Sequence, residues 1–102
     1  MIVPFPFTDR RTGKRRPALA LSSENFSSAS GHTLLAMVTS AKNPPWPLDV
    51  AITSAECGLR ALSKVRMKLF TLDNRLILGK VGSLGVRDRQ AVQAALGRLL
   101  TI

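Results

Sequence analysis

Two short stretches carry the side chains best suited to chemistry. In "TDRRTGKRRPAL" Arg16 precedes Pro17, and the proline ring restricts the residue before it to extended backbone. Arg16 therefore stands where a loop gives way to a strand. A guanidinium held there can clamp a phosphate through two charge-assisted hydrogen bonds. Arg10, Arg11, Lys14 and Arg15 lack that anchor. They read as an electrostatic funnel for a polyanion, or equally as a solvated basic loop. In "MVTSAKN" an apolar strand ends in Thr39 and Ser40, with Lys42 just beyond. Both hydroxyls can donate to a phosphoryl oxygen, but Thr-Ser at a strand end is common and decides little alone.

What is missing narrows the chemistry further. The six acidic residues, Asp9, Glu24, Asp49, Glu56, Asp73 and Asp88, are scattered, whereas two-metal phosphodiester chemistry needs clustered carboxylates. There is no His/Cys/Asp group at metal-ligand spacing, no glycine-rich phosphate loop ahead of a helix and no Ser-His pairing. His32 reads as a surface turn residue, and Cys57 as a small, partly buried side chain. No metal and no cofactor is expected. If the protein cuts nucleic acid, it does so with cations and hydroxyls.

The elements that must position these groups are short. Val3, Phe5 and Phe7 alternate with Pro4 and Pro6, which is strand periodicity with two missing donors and so predicts an edge strand. Residues 17–23 predict a second strand and residues 32–40 a third, apolar throughout and therefore central. "KNPPWP" reads as loop, followed by a strand over Leu48 to Ile52. Val65, Met67 and Leu69 alternate with Arg66, Lys68 and Phe70, predicting a strand with a mixed outer face. Residues 75–84 predict one more strand, whose glycines mark a bulge or close packing. Ala91, Val92, Ala95, Leu96, Leu99 and Leu100 then recur at helical spacing, with Asp88 at the positive end of the helix and Arg98 at its negative end. Short strands closed by one helix predict an α+β domain, a small SH3-like β-barrel with a C-terminal α-helix, spanning residues 1–102 as one unit.

Composition agrees with an ordinary globular protein, 45% hydrophobic and 21% charged. No apolar run reaches the roughly 18 residues of a membrane span, and the N-terminus does not read as a signal peptide, so a cytoplasmic location is expected. A net charge of +9 on 102 residues attracts polyanions. Nucleic acid is the first candidate and an acidic protein the second. An anionic membrane is distant, because the basic residues do not line an amphipathic helix.

The stretch "VPFPFTDRRTGKRRPALALSS" closely resembles the opening of the MazF/PemK toxins of bacterial toxin–antitoxin systems. "LLAMVTSA", "AECGLRALSKVRMKLFTLD" and "LILGKVGSLGVRD" are similar to later segments of the same family, in the same order, so nearly the whole chain is covered. The resemblance implies a homodimeric, metal-independent endoribonuclease that cuts single-stranded RNA, mRNA included. The ribose 2′-OH attacks the adjacent phosphorus, leaving 2′,3′-cyclic phosphate and 5′-OH ends, and translation and growth stop. It implies Arg16 and Thr39 as catalytic residues and Ser40 as a phosphate contact. Arg10, Arg11, Lys14 and Arg15 become an RNA-contacting loop, with Lys42 close to the site. Lys68 stands where many relatives place Gln, which bears on RNA sequence preference. Family members usually begin several residues earlier, so a shortened first strand is expected. The partner implied is an acidic antitoxin whose carboxylates pair with the basic loop. Two rival readings share the fold: a CcdB-type toxin that poisons gyrase, and an inactive RNA-binding remnant. The first has no need of the Arg-Pro and Thr-Ser pair.

Overall fold

The computed structural model describes residues 1–8, 15–77 and 79–102, with only the backbone described at 4–8, 15 and 55. Loop residues Arg10, Arg11 and Lys14 lie outside the described residues, and Arg15 is described only as backbone. The chain runs β1 (Ile2–Thr8), β2 (Arg15–Ala20), α1 (Glu24–Ser30), β3 (His32–Ser40), β4 (Val50–Ala51), β5 (Ser63–Asp73) and α2 (Val86–Leu99). The strands form one antiparallel sheet in the order β1-β2-β3-β5-β4. The architecture is α+β with a C-terminal helix, as expected, and its SH3-like sheet is open. Among the described residues the gap beyond β1 is crossed only by the bridge of Ile2 to Gly82. The proline-bearing β1 is an edge strand and β3 is central, both as the sequence predicts.

Each face of the sheet holds a core. On one, Ile2, Leu19, Ala36, Val38, Val65 and Met67 pack with Val92 and Ala95 of α2. On the other, Val3, Ala18, Leu35 and Leu72 cluster with Ala20, Phe70 and Ile77. Burial on both faces explains why β3 is apolar almost without interruption.

Four expectations need correction. The second strand ends at Ala20, not Ser23, because Ser23 caps α1: its hydroxyl accepts from the Phe26 N–H at 3.1 Å. Strand β4 is two residues long, because Leu48 has a φ of 65° and cannot continue a strand. The alternation along β5 breaks where Ala36 pairs with Leu69 but Met37 pairs with Arg66. Met67 and Lys68 are thus extra residues on β5, and the bulge leaves Leu69 exposed. Finally, residues 75–84 form no strand among the described residues. Asp73 accepts from the Arg75 N–H at 2.9 Å and starts a 3₁₀ turn over Asn74–Leu76. The close packing expected of the glycines is found at Gly82, where a Cβ would lie 2.2 Å from the Cys57 carbonyl oxygen. Gly58 mirrors it at 2.3 Å from the Val81 oxygen, with φ at 74°. The two backbones cross with no room for a side chain.

Asp88 does more than face the helix dipole. Buried at 3% exposure, it accepts from the Thr53 N–H at 2.8 Å, the Thr53 hydroxyl at 2.7 Å and the Ser54 N–H at 3.0 Å. Burial pushes its carboxyl pKa up, but these donors outweigh it and hold the group below its ordinary range. The bond to the helix is therefore strongest with Asp88 ionised. Asp88→Ala should cost about 1–3 kcal/mol, lowering Tm by roughly 4–8 °C per kcal/mol in a domain of this size. Because the folded pKa is depressed, this contribution is complete above pH about 4 and fades as pH falls further. Thermal unfolding of both proteins between pH 7 and 3 checks it: a Tm gap that is absent at pH 7, or that widens in acid, contradicts the assignment.

Candidate nucleic-acid interface

Backbone N–H groups along β2 turn alternately to its two neighbours. That of Ala20 bonds the Met1 carbonyl and that of Leu21 bonds Leu34, both at 2.8 Å. Counting back by twos from Leu21, position 17 is due to bond β3. Pro17 has no N–H, and the pairing of β2 with β3 begins only at Ala18, opposite Met37. Carrying that register two residues further sets Arg16 abreast of Thr39 on the same face. The proline thus ends the ladder where the two predicted catalytic residues meet. Arg16 is exposed, while its backbone stays paired with Phe5 of β1.

Thr39 is 8% exposed, and its hydroxyl oxygen accepts from the Asn43 side-chain amide. A hydroxyl carries one proton. With Asn43 as donor, Thr39 keeps that proton for another acceptor, such as a phosphoryl oxygen. Asn43 is itself fixed: its N–H donates to Ser40 O at 3.1 Å and its carbonyl accepts from Lys64 Nζ at 2.7 Å. Ser40 and Lys42 are exposed at the start of this turn, where Ser40 Oγ accepts from the Lys42 N–H at 3.2 Å. That bond leaves the Ser40 proton available as well.

The basic residues of β5 continue the same face. Lys64 pairs with Thr39 and Arg66 with Met37. Asp49 binds both: its carboxylate lies 3.2 Å from Lys64 Nζ and accepts from Arg66 Nε at 3.3 Å and Nη2 at 3.2 Å. It also accepts from the Trp46 N–H at 3.0 Å, and Arg66 Nη2 donates to the Pro44 carbonyl at 2.7 Å. Loop 41–49 is thereby clamped to the sheet beside Thr39. Burial raises the Asp49 pKa, but the Arg66, Trp46 and Lys64 donors together hold it below its ordinary range. Lys68, predicted to contact RNA, has its ammonium 4.4 Å from the centre of the Trp46 ring, and Arg66 Cζ is at 5.8 Å.

The structure sets Thr39, Ser40 and Lys42 together at the end of β3, Arg16 abreast of Thr39 by extension of the register, and Lys68 against Trp46 on the neighbouring loop. It adds Asn43, Trp46, Asp49, Lys64 and Arg66, which sequence reasoning left as loop or outer face. One signal was present: a single tryptophan among prolines in a strongly basic chain. Among the described residues no three His, Cys, Asp or Glu side chains are grouped to hold a metal.

A family model for PemK-like, MazF-like toxins of type II toxin-antitoxin systems matches residues 1–100. The chain belongs to this toxin family. Solved structures agree. The crystal structure of MazE-MazF from Deinococcus radiodurans superposes with a TM-score of 0.76 at 27% identity, covering 99% of this chain and 91% of that one. The Mycobacterium tuberculosis toxin MazF-mt6 gives 0.76 at 21% identity, over 95% and 92% of the two chains. A mycobacterial endoribonuclease in complex with its cognate antitoxin gives 0.76 at 13% identity, over 95% and 87%. No curated protein sequence matches significantly. Among the described residues of this PemK/MazF-family chain, no helix is long and apolar enough to cross a membrane.

The loop clamp has a direct readout. Asp49→Ala leaves Lys64 and Arg66 facing each other without their shared acceptor, at a cost of about 1–3 kcal/mol. Trp46 then loses its anchor, so its fluorescence should shift to the red and be quenched more readily by acrylamide. An unchanged emission spectrum and quenching constant would show that Asp49 does not hold the loop.

Proposed function

We propose that this toxin-family protein cleaves single-stranded RNA, mRNA included, without a metal, and thereby arrests translation and growth. The observation that carries the reading is the open end of the β2–β3 ladder, with Arg16 and Thr39 abreast on one face of the sheet. A phosphodiester laid there would meet a guanidinium from one strand and the Thr39 hydroxyl, whose proton the Asn43 bond leaves uncommitted, from the next. Ser40 and Lys42 stand beside it.

The substrate carries its own nucleophile. The bond from O2′ to phosphorus forms as the bond to O5′ breaks; the 2′-hydroxyl gives up its proton and O5′ takes one up. The products are a 2′,3′-cyclic phosphate and a 5′-OH. What the protein must supply is position and charge stabilisation. Arg16 acts as cation and hydrogen-bond donor rather than as base. Thr39 donates its proton to the same phosphoryl group. Arg10, Arg11, Lys14, Arg15, Ser40, Lys42 and Lys68 are assigned to RNA binding.

Two partners complete the reading. Structures of MazE-MazF and of a mycobacterial endoribonuclease with its antitoxin support an antitoxin here as well, and a charge of +9 favours an acidic one. A homodimer, the commonest closed arrangement of identical chains, would place two such faces along one RNA path.

The test is direct. The purified protein is incubated with single-stranded RNA in EDTA and the product ends are analysed. Cyclic-phosphate and 5′-OH ends are expected. Arg16→Ala should lower the cleavage rate about 10²–10³-fold, the scale of losing one transition-state donor, with little change in Tm. Intact RNA, or cleavage that EDTA abolishes, would overturn the proposal.

A further inference from the structure

We propose that the Trp46 indole is a stacking platform for an RNA base adjoining the phosphate at Arg16 and Thr39. The inference rests on the reading of this face as an RNA-cleaving site, and it names a contact that the cleavage chemistry does not require. Trp46 is 41% exposed although its backbone sits in a hydrogen-bonded network. Its N–H donates to Asp49 at 3.0 Å and its carbonyl accepts from the Asp49 N–H at 3.1 Å. Pro44, Pro45 and Pro47 surround it, and each fixes its own φ. The backbone that carries the ring is thus held in place while the side chain stays unburied.

Both cations at the ring, Lys68 at 4.4 Å and Arg66 at 5.8 Å, come from β5, so the indole lies over that strand. Cation–π contact accounts for part of the ring surface, and at 41% exposure much of the residue stays uncovered among the described residues. The platform also faces the right way. Asp49 joins Trp46 to Lys64, and Lys64 is the register partner of Thr39. Arg66, which touches the ring, is the register partner of Met37, on the same face of β3 as Thr39, so the ring sits over the side of the sheet that carries the hydroxyl. An aromatic plane beside lysine and arginine is the combination that single-stranded nucleic acid recognises: cations follow the backbone while bases stack. An acidic peptide would use the cations and leave the open plane idle. Because every base has a π-face, stacking here adds affinity with little base preference.

Trp46 is the only tryptophan, so its fluorescence reports on this site alone. The probe is a 2′-O-methylated single-stranded RNA oligonucleotide, which binds but cannot be cut by its own 2′-oxygen. Titration should quench Trp46 in step with binding measured by anisotropy of the labelled oligonucleotide. Trp46→Ala should weaken binding roughly 5- to 150-fold, and Trp46→Phe should recover most of the loss, whereas Trp46→Leu should not. The clamp to Asp49 runs through the Trp46 backbone, so these variants keep the loop in place. On unmodified RNA, Trp46→Ala should raise KM and leave kcat nearly unchanged, as expected for binding shared by ground and transition states. Equal affinity for wild type and Trp46→Ala with no quenching overturns the proposal, even where cleavage proceeds. Quenching by poly-glutamate but not by the oligonucleotide overturns it too, and assigns the ring to an acidic protein. Quenching and affinity loss as expected, with unmodified RNA left intact, would uphold the platform and overturn cleavage instead.

Discussion

Pro17 stands at the position in β2 where the next bond to β3 falls due, and it has no N–H to make that bond. The sheet therefore opens at one end while remaining paired along the rest of its length. Arg16 keeps its pairing with β1, so its backbone stays extended at the edge of the opening. Thr39 lies across from it, on the strand that both cores bury. A loop could present the same two side chains, but with neither partner fixed. Here the same residue that breaks the ladder also restricts the backbone of the arginine before it.

Acidic side chains are scarce in this chain, six against fifteen basic ones, and the aspartates Asp49, Asp73 and Asp88 are used as clamps. Asp49 gathers Lys64, Arg66 and the Trp46 N–H, and Asp88 ties α2 to the residues after β4. Asp73 pairs with Arg75 at 2.8 Å on the far side of β5. Neutralising cations where the fold needs them bound leaves positive charge elsewhere on the surface, where a polyanion can meet it. The cost of that surplus is self-repulsion, which the two cores must offset.

Much of this was legible in the sequence, for local reasons. Alternating prolines placed β1 at an edge, the unbroken apolar run placed β3 at the centre, and helical spacing from Ala91 to Leu100 gave α2. Arg16 and Thr39 were recognisable as candidates, the one from the proline after it and the other from its strand end. What escaped depends on partners far along the chain. Asp49 meets Arg66 seventeen residues away, and Asp88 meets Thr53 thirty-five residues away; neither spacing has a local signature. The bulge that displaces Leu69 to the surface follows from the pairing of β3 with β5, so a strict alternation misassigned it. The expected strand over 75–84 failed for a different reason: Asp73 caps a turn, and Gly82 meets a carbonyl too closely for a side chain.

The central claim is that Arg16 and Thr39 act on one phosphate across the opened ladder. A double-mutant cycle on single-turnover RNA cleavage, with Arg16→Ala, Thr39→Val and both together, measures it most directly. Two donors to the same transition state should couple by at least about 1 kcal/mol, so that the double variant loses at least about fivefold less than the product of the two single losses. Rate losses that simply multiply, as for residues acting at separate places, would contradict the account.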